Sequence, residues 1–322
     1  ISWGWSGMAH DASLAVFDNK KLTFAAHSER YSRIKNDKHL NSGIILDALE
    51  FGYPDEVFFY ERPWLKKTRQ LYAGQYNLLT KPSPRSVLGK LYTNPPRVRT
   101  TTHHHSHAAA GYYTSSFTDA SILCIDSIGE WDTVSIWTGE GTKLKKQWSQ
   151  RYPESIGIWY SAMTQRCGLK PNAEEHILSE YAIKGDRYAY LDAIEKDFTV
   201  QKSLKGFWQV RFKENLHRGC NWWRPELQSE QELIDIGAST QEAFERMMMR
   251  ISTSASFKLP SKNLVLTGGC ALNKLMVKQL KPNWDSIWVP PNPGDPGSCI
   301  GAVLGMERTH IDFDPKVWYN KV

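Results

Sequence analysis

Four histidines fall within five residues in the run Thr102-His103-His104-His105-Ser106-His107-Ala108-Ala109-Ala110-Gly111-Tyr112-Tyr113. The small and aromatic residues that follow suit a helix. On it His103 and His107 stand one turn apart on one face, where both imidazoles can grip a single metal ion. The run lies a third of the way into the chain, so a terminal purification tag does not explain it; a set of surface histidines would. Asp126 directly follows an apolar strand, and Asp295 lies between Gly294 and Gly297. Each aspartate, taken alone, is more often a cap or a turn residue. As ligands, two imidazoles and two carboxylates suit iron(II), manganese or zinc, and the oxygen share leans away from a structural zinc.

Three small-residue loops add a second kind of chemistry. Leu266-Thr267-Gly268-Gly269-Cys270-Ala271 places bare backbone between a strand and a helix N-terminus, where amides and the helix dipole can hold phosphate or ribose oxygens. Gly294-Asp295-Pro296-Gly297 repeats the pattern about a helix further on. Gly7-Met8-Ala9-His10-Asp11-Ala12-Ser13 carries a His-Asp pair. There His10 can contact a phosphate or move a proton, or Asp11 can simply cap a turn.

The elements that position these residues follow from apolar patterning. Leu14–Phe17 and Leu22–Ala26 read as strands joined by a turn at residues 18–21, Ser42–Phe51 as a helix and Glu56–Tyr60 as a buried strand. Lys81–Arg99, with Pro82, Pro84, Pro95 and Pro96, reads as loop-rich. The His cluster opens a helix, and Ile122–Ile125 and Thr133–Trp137 pair as strands. In the second half, Ile156–Cys167 and Ser239–Ser256 are helical, Leu264–Leu266 and Ile287–Val289 are strands, and Ala271–Leu280 and Ser298–Glu307 are helices. Ala182–Arg224 is polar and takes no assignment. Hairpins mixed with strand–glycine–helix units indicate an α/β fold, and the openings near Ser13 and Asp126 hint at a weak duplication.

With 322 residues, 41% hydrophobic and 12% aromatic, the chain can bury a large core and is not disordered. No apolar run approaches the ~18 residues that cross a bilayer, and the opening residues do not form a secretory signal. Five scattered cysteines suit a reducing cytosol and read as packing residues. The net charge of +6 is unevenly spread: no acidic residue occurs from Arg62 to Thr118, which holds Arg62, Lys66, Lys67, Arg69, Lys81, Arg85, Lys90, Arg97 and Arg99. With Trp64, Tyr72, Tyr76 and Tyr92 interleaved, that span suits a polyanion or a nucleotide, or is a solvated helical face with a proline-rich loop.

Taken in order, the motifs carry more than any one alone. His10-Asp11-Ala12-Ser13, then Glu29-Arg30-Tyr31-Ser32-Arg33-Ile34-Lys35, resembles the N-terminal signature of the O-carbamoyltransferase family, which includes nodulation-factor and antibiotic enzymes. The match continues through Phe59-Tyr60-Glu61-Arg62-Pro63-Trp64, the His103–His107 block, Asp126-Ser127-Ile128-Gly129-Glu130-Trp131-Asp132-Thr133 and Gly157-Ile158-Trp159-Tyr160-Ser161. It closes with Thr267-Gly268-Gly269-Cys270-Ala271-Leu272-Asn273 and Pro293-Gly294-Asp295-Pro296-Gly297, so it covers nearly the whole chain.

The resemblance implies an actin/sugar-kinase-like fold of two ribonuclease-H-like lobes, related to the tRNA threonylcarbamoyl transferase domain. The lobes are expected at about 1–150 and 151–322, within one N-terminal carbamoyltransferase domain. It implies iron(II) held by His103, His107, Asp126 and Asp295, with ATP or carbamoyl-adenylate, and Mg with the ATP, held by Gly129, Gly268, Gly269, Asn273 and Gly294. His10 and Lys35 would face the carbamoyl and phosphate groups, His104 would back the site or touch phosphate, His105 would be a bystander, and Asp186 would be the base. The family continues into a domain that makes carbamoyl-adenylate from carbamoyl phosphate and ATP. The sequence here ends before it, so the expectation is that a partner domain or subunit supplies it, that the sequence is part of a longer protein, or that a minimal enzyme uses a donor made elsewhere. The sequence also departs from the family at Glu174–Ala182, which implies altered substrate or nucleotide contacts. The expected product is a carbamate ester on an acceptor hydroxyl. Candidate acceptors are a DNA base such as 5-hydroxymethylcytosine, as in viral relatives, and a sugar or antibiotic hydroxyl. A metal- and nucleotide-binding subunit without turnover is the reading from another class. A cytoplasmic location and a homodimer are further expectations.

Overall fold

The computed structural model describes residues 1–78, 80, 82–200 and 206–318; Lys81 of the basic segment lies outside the described residues. The first part runs β1 (Ser2–Ser6), β2 (Ser13–Asp18), β3 (Lys21–His27), α1 (Ser28–Ser32), α2 (Ser42–Leu49), β4 (Glu56–Phe59), α3 (Pro63–Tyr72), α4 (Pro84–Leu91) and β5 (Arg97–Thr100). Next come α5 (His103–Tyr113), β6 (Asp119–Gly129), β7 (Asp132–Glu140), β8 (Lys143–Arg151), α6 (Ile156–Arg166), α7 (Glu175–Lys184) and α8 (Leu191–Phe198). The remainder is β9 (Thr199–Val200), β10 (Arg211–Phe212), α9 (Glu230–Lys258), β11 (Asn263–Thr267), α10 (Lys274–Leu280), β12 (Ser286–Trp288) and α11 (Ser298–Glu307).

Two five-stranded sheets share one strand order. The first is β3-β2-β1-β4-β5 and the second, read from its other edge, is β8-β7-β6-β11-β12. In each, three strands form an antiparallel meander and two more add in parallel beyond the first of them. The weak duplication near Ser13 and Asp126 therefore corresponds to two equivalent hairpins, β1–β2 and β6–β7. The second sheet begins at Asp119. The expected division near residue 150 thus falls at the end of β8, after three strands of that sheet.

Two helices lie between the sheets. Most of α5 and α11 is buried, and both join the core built on the first sheet with Trp3, Trp5, Phe17, Phe59 and Tyr112. They approach closely because glycines face the contacts. A Cβ on Gly301 would sit 1.8 Å from the Ser106 carbonyl oxygen, and one on Gly4 would sit 1.8 Å from that of Cys299. A second core, around Trp159, Phe244, Met248 and Leu266, fills the far face of the second sheet under α6 and α9. Among the described residues no helix is long and apolar enough to cross a membrane.

Several elements differ from expectation. The proline-rich span holds α4, because Pro84 opens the helix and the Ser83 hydroxyl accepts from Ser86 N. The long helix expected over Ser239–Ser256 begins at Glu230, behind a capping box of Ser229 and Glu232. Asn273 splits the expected Ala271–Leu280 helix into a 3-10 turn and α10.

Candidate metal centre

Three constraints place the four expected ligands. His103 and His107 project from the first turns of α5. Asp126 leaves β6 where its pairing with β7 shifts register between Ile125 and Gly129. Asp295 sits in the 3-10 turn that leads into α11. All four are buried, and ligand atoms from each lie within 4.8 Å of one another.

His103 Nε2 is 3.0 Å from His107 Nε2, 3.1 Å from Asp126 Oδ2 and 3.2 Å from Asp295 Oδ1. His107 Nε2 is 3.3 Å from Asp295 Oδ1 and 3.8 Å from Asp126 Oδ2. Donors bonded at about 2.1 Å on adjacent octahedral corners would stand about 3.0 Å apart, so this spacing fits a small divalent cation. Two imidazole nitrogens face each other here, and Asp295 Oδ2 is buried without a hydrogen bond. Both features suit a cation held among the four side chains.

The electrostatics agree. Burial alone would push both imidazoles down, but Asp295 and Asp126 outweigh it and hold them above the ordinary histidine value. Burial likewise opposes ionisation of the two aspartates, and the imidazoles beside them hold both well below the carboxylate range. The quartet is therefore a pair of anions seeking cationic partners.

The glycine loops position this set. Gly269 N donates to Asp126 Oδ1 at 3.1 Å, and a Cβ on Gly269 would come within 2.9 Å of that oxygen. Gly268 has φ +89°, and a Cβ there would strike the Ile125 carbonyl at 2.3 Å. A Cβ on Gly294 would lie 3.8 Å from Gly269 Cα, so the two loops pass side by side. Gly129 serves α5, since a Cβ there would reach His103 Cδ2 at 2.4 Å.

His10 joins from the β1–β2 loop. Its Nδ1 is 3.0 Å from Asp11 Oδ2 and 3.6 Å from Asp295 Oδ2, with 56% of the side chain exposed. Burial would lower its pKa, yet the carboxylates of Asp295 and Asp11 raise it to about 9. The Lys35 segment runs alongside: Asn36 O and Asp37 O accept from Asp11 N and Ala12 N at 3.3 and 2.6 Å. The Lys35 side chain itself is exposed.

Other expected residues are occupied elsewhere. Asp186 is exposed, and its Oδ1 accepts from Tyr188 N at 2.8 Å, so it caps the turn between α7 and α8. Asn273 Oδ1 caps α10 through Met276 N at 3.0 Å, and its amide exchanges two hydrogen bonds with Gln241 at 2.8 and 3.0 Å. That side chain has little capacity left for an adenylate. His104 turns to Ser135 Oγ at 2.8 Å, and burial together with His103 lowers it to about 3. His105 contacts Thr101 Oγ1 at 2.7 Å.

Carboxylates from other parts of the chain partly neutralise the basic segment. Lys66 pairs with Glu61, and Arg97 and Arg99 both lie against Glu56. Trp64, Tyr72 and Tyr76 remain 60, 68 and 65% exposed. A surface groove lined by Trp208, Met249, Arg250 and Phe257 shares no residue with the quartet.

Sequence reasoning assigned no individual role to two buried residues behind the quartet. Ser298 Oγ is 3.1 Å from His107 Nδ1, and Glu61 Oε2 is 3.8 Å from His103 Nδ1. Both lie in or beside quoted motifs, which was the available signal.

The fold and site together define a two-sheet α/β protein of the actin/sugar-kinase type with a buried His₂Asp₂ set between its sheets. The chain belongs to the carbamoyltransferase N-terminus family, whose profile matches residues 3–304. It is 30% identical to the uncharacterised protein sll1178 of Synechocystis, over 98% of this chain and 58% of that protein. It is 26% identical to the nodulation protein NolNO of Sinorhizobium fredii, over 93% of this chain and 46% of that protein. The chain thus spans about half the length of these relatives. Its fold resembles the crystal structure of T. kodakarensis HypF, with a TM-score of 0.52 at 12% identity, over 95% of this chain and 47% of that one. A second likeness is full-length HypF in its phosphate- and nucleotide-bound form, with a TM-score of 0.50 at 10% identity, over 98% of this chain and 56% of that one.

Proposed function

We propose that this chain is the transfer half of an O-carbamoyltransferase that moves a carbamoyl group from carbamoyl-adenylate to an acceptor hydroxyl. The observation that carries the reading is the convergence of His103, His107, Asp126 and Asp295 beside the His10 loop, in a chain of the carbamoyltransferase N-terminus family. Those four residues would hold a divalent cation, iron(II) first with manganese or zinc as alternatives, which when bound polarises the phosphate–carbamoyl anhydride. The bare backbone of the Gly268-Gly269 loop, whose own amides are engaged by Pro293 O and Asp126 Oδ1, and the Gly294 turn border the same place and leave room for the donor, made from ATP, with its Mg, and carbamoyl phosphate.

The acceptor oxygen attacks the carbamoyl carbon and the bond to the phosphate oxygen breaks, leaving a carbamate ester and AMP. His10 is the half-exposed group at the edge of the quartet. While both Asp11 and Asp295 face it, its imidazole is held protonated and can pair with a phosphate. With Asp295 engaged by a cation, only Asp11 is left to hold the proton on His10, its pKa falls, and the imidazole in its neutral form can accept the hydroxyl proton. Asp186, tied to its own turn, is a weaker base candidate than His10. The donor-forming step is assigned to a separate domain or subunit.

The test is turnover with ATP, carbamoyl phosphate and a donor-forming domain supplied in trans. Hydroxymethylcytosine DNA and aminoglycosides are followed by mass spectrometry. A carbamoyl mass gain with AMP release, abolished by His107→Ala, is expected. Binding of metal and ATP with no transfer to any acceptor would favour the non-catalytic subunit. The exposed Trp64, Tyr72 and Tyr76 in an acid-free segment favour an anionic acceptor. Duplex DNA affinity that stays flat from low to high salt would remove the nucleic acid from consideration and leave the sugar hydroxyl.

A further inference from the structure

The two imidazoles of the quartet are backed differently. His107 Nδ1 meets the Ser298 hydroxyl at 3.1 Å. His103 Nδ1 is buried and has no hydrogen-bond partner. A carboxylate oxygen, Glu61 Oε2, stands 3.8 Å from it. Glu61 is 4% exposed, and its two oxygens receive Lys66 Nζ at 2.8 and 3.0 Å. A buried carboxylate is costly unless paired, and the lysine supplies that pairing. The Tyr60 ring, 5.1 Å from the His103 ring, packs against the imidazole beside it.

We propose that Glu61 is the positioning residue of His103: it accepts a hydrogen bond from Nδ1–H, which fixes the neutral tautomer whose Nε2 lone pair faces Asp126, Asp295 and His107. The inference rests on reading those four residues as a cation site. Closing 3.8 Å to a charge-assisted bond takes a shift of about 1 Å. A carboxylate behind a ligating imidazole orients the ring and makes Nε2 a stronger donor. Ser298 supplies only a neutral hydroxyl to His107, so the two ligands are unequal and His103 is the stronger donor. Glu61 follows β4 of the first sheet, whereas Asp126 belongs to the second. The positioning contact therefore ties the first sheet to a cation held mainly by other elements.

Metal affinity is measured by chelator competition on the full chain loaded with cobalt(II), whose visible spectrum also reports the ligand field. Glu61→Ala is expected to lose about 10- to 100-fold in affinity with altered cobalt bands. Glu61→Gln, whose amide oxygen still accepts from Nδ1–H, retains most of the affinity, and Ser298→Ala loses less than Glu61→Ala. In the zinc-loaded wild type, long-range ¹H–¹⁵N spectra are expected to show His103 protonated on Nδ1; this measurement does not depend on any variant folding. An Nε2-protonated His103, or a Glu61→Ala protein with wild-type affinity and spectrum, would overturn the proposal. If the wild type takes up neither cobalt nor zinc, the reading of the quartet falls with it. If it binds both but is indifferent to Glu61, only the role of Glu61 falls.

Discussion

His103 and His107 face each other across 3.0 Å with Asp126 and Asp295 alongside, so protons and a divalent cation compete for the same four side chains. Both imidazoles are held above the ordinary histidine value by those carboxylates. A cation must therefore displace protons to bind. Affinity is expected to rise with pH through the neutral range and to weaken in acid, about tenfold per pH unit for each proton released. Calorimetry in two buffers of different ionisation enthalpy measures that release directly; a heat independent of buffer would mean that the imidazoles bind already neutral. The His103–His107 pair was legible in the sequence because spacing by four is a local property of a helix. Asp126 and Asp295 were legible through the strand end and the glycines beside them. Asn273 and Asp186 cap their own backbones, a role that reads, in sequence, like a side chain aimed at a ligand. Glu61 and Ser298 escaped individual assignment because their partners lie 42 and 191 positions away (103 − 61 and 298 − 107).

The element that sets the geometry is the α5–α11 pair, and its tolerance is measured in single methyl groups. A Cβ on Gly301 would overlap the Ser106 carbonyl, part of the α5 turn that also carries His103 and His107. Gly301→Ala is expected to cost on the order of 2–3 kcal/mol, read by denaturant unfolding. Because α11 follows Asp295 directly, metal affinity should fall as well. Gly89→Ala in α4, where a Cβ would meet nothing within 4 Å, should be neutral or stabilising by up to about 1 kcal/mol. Unchanged affinity in Gly301→Ala would mean that the Gly294–Gly297 turn places Asp295 by itself. At this scale the sequence was readable wherever apolar periodicity was strong, as in β2, β6, β11 and α11. It was opaque at α4, where prolines mask a helix that one of them opens. The start of α9 was hidden by its polar first turns, and β8 by lysines along its exposed edge.

Across the whole molecule the site draws on both sheets: His10 and Glu61 come from loops of the first, Asp126 and the Gly269 amide from the second. Zinc at about a hundred times its dissociation constant should stabilise the chain by about 2.7 kcal/mol. Hydrogen exchange should then slow both in residues 7–12 and in residues 268–273. Slowing confined to α5 would mean that the cation is held by one lobe alone. The doubled strand order was visible in sequence only as two similar hairpin openings, because parallel strands β4, β5, β11 and β12 pair across long connections that leave no local mark. The distance along the chain has a consequence of its own. His103 and Asp295 are 192 positions apart (295 − 103) yet meet at 3.2 Å. A cation there is a staple closing a very long loop, and loop-closure entropy alone makes such a link worth roughly 5 kcal/mol against the unfolded chain. It can be captured only after α11 has docked on α5, so a loaded site certifies that α5 and the last helix of the fold have already found each other.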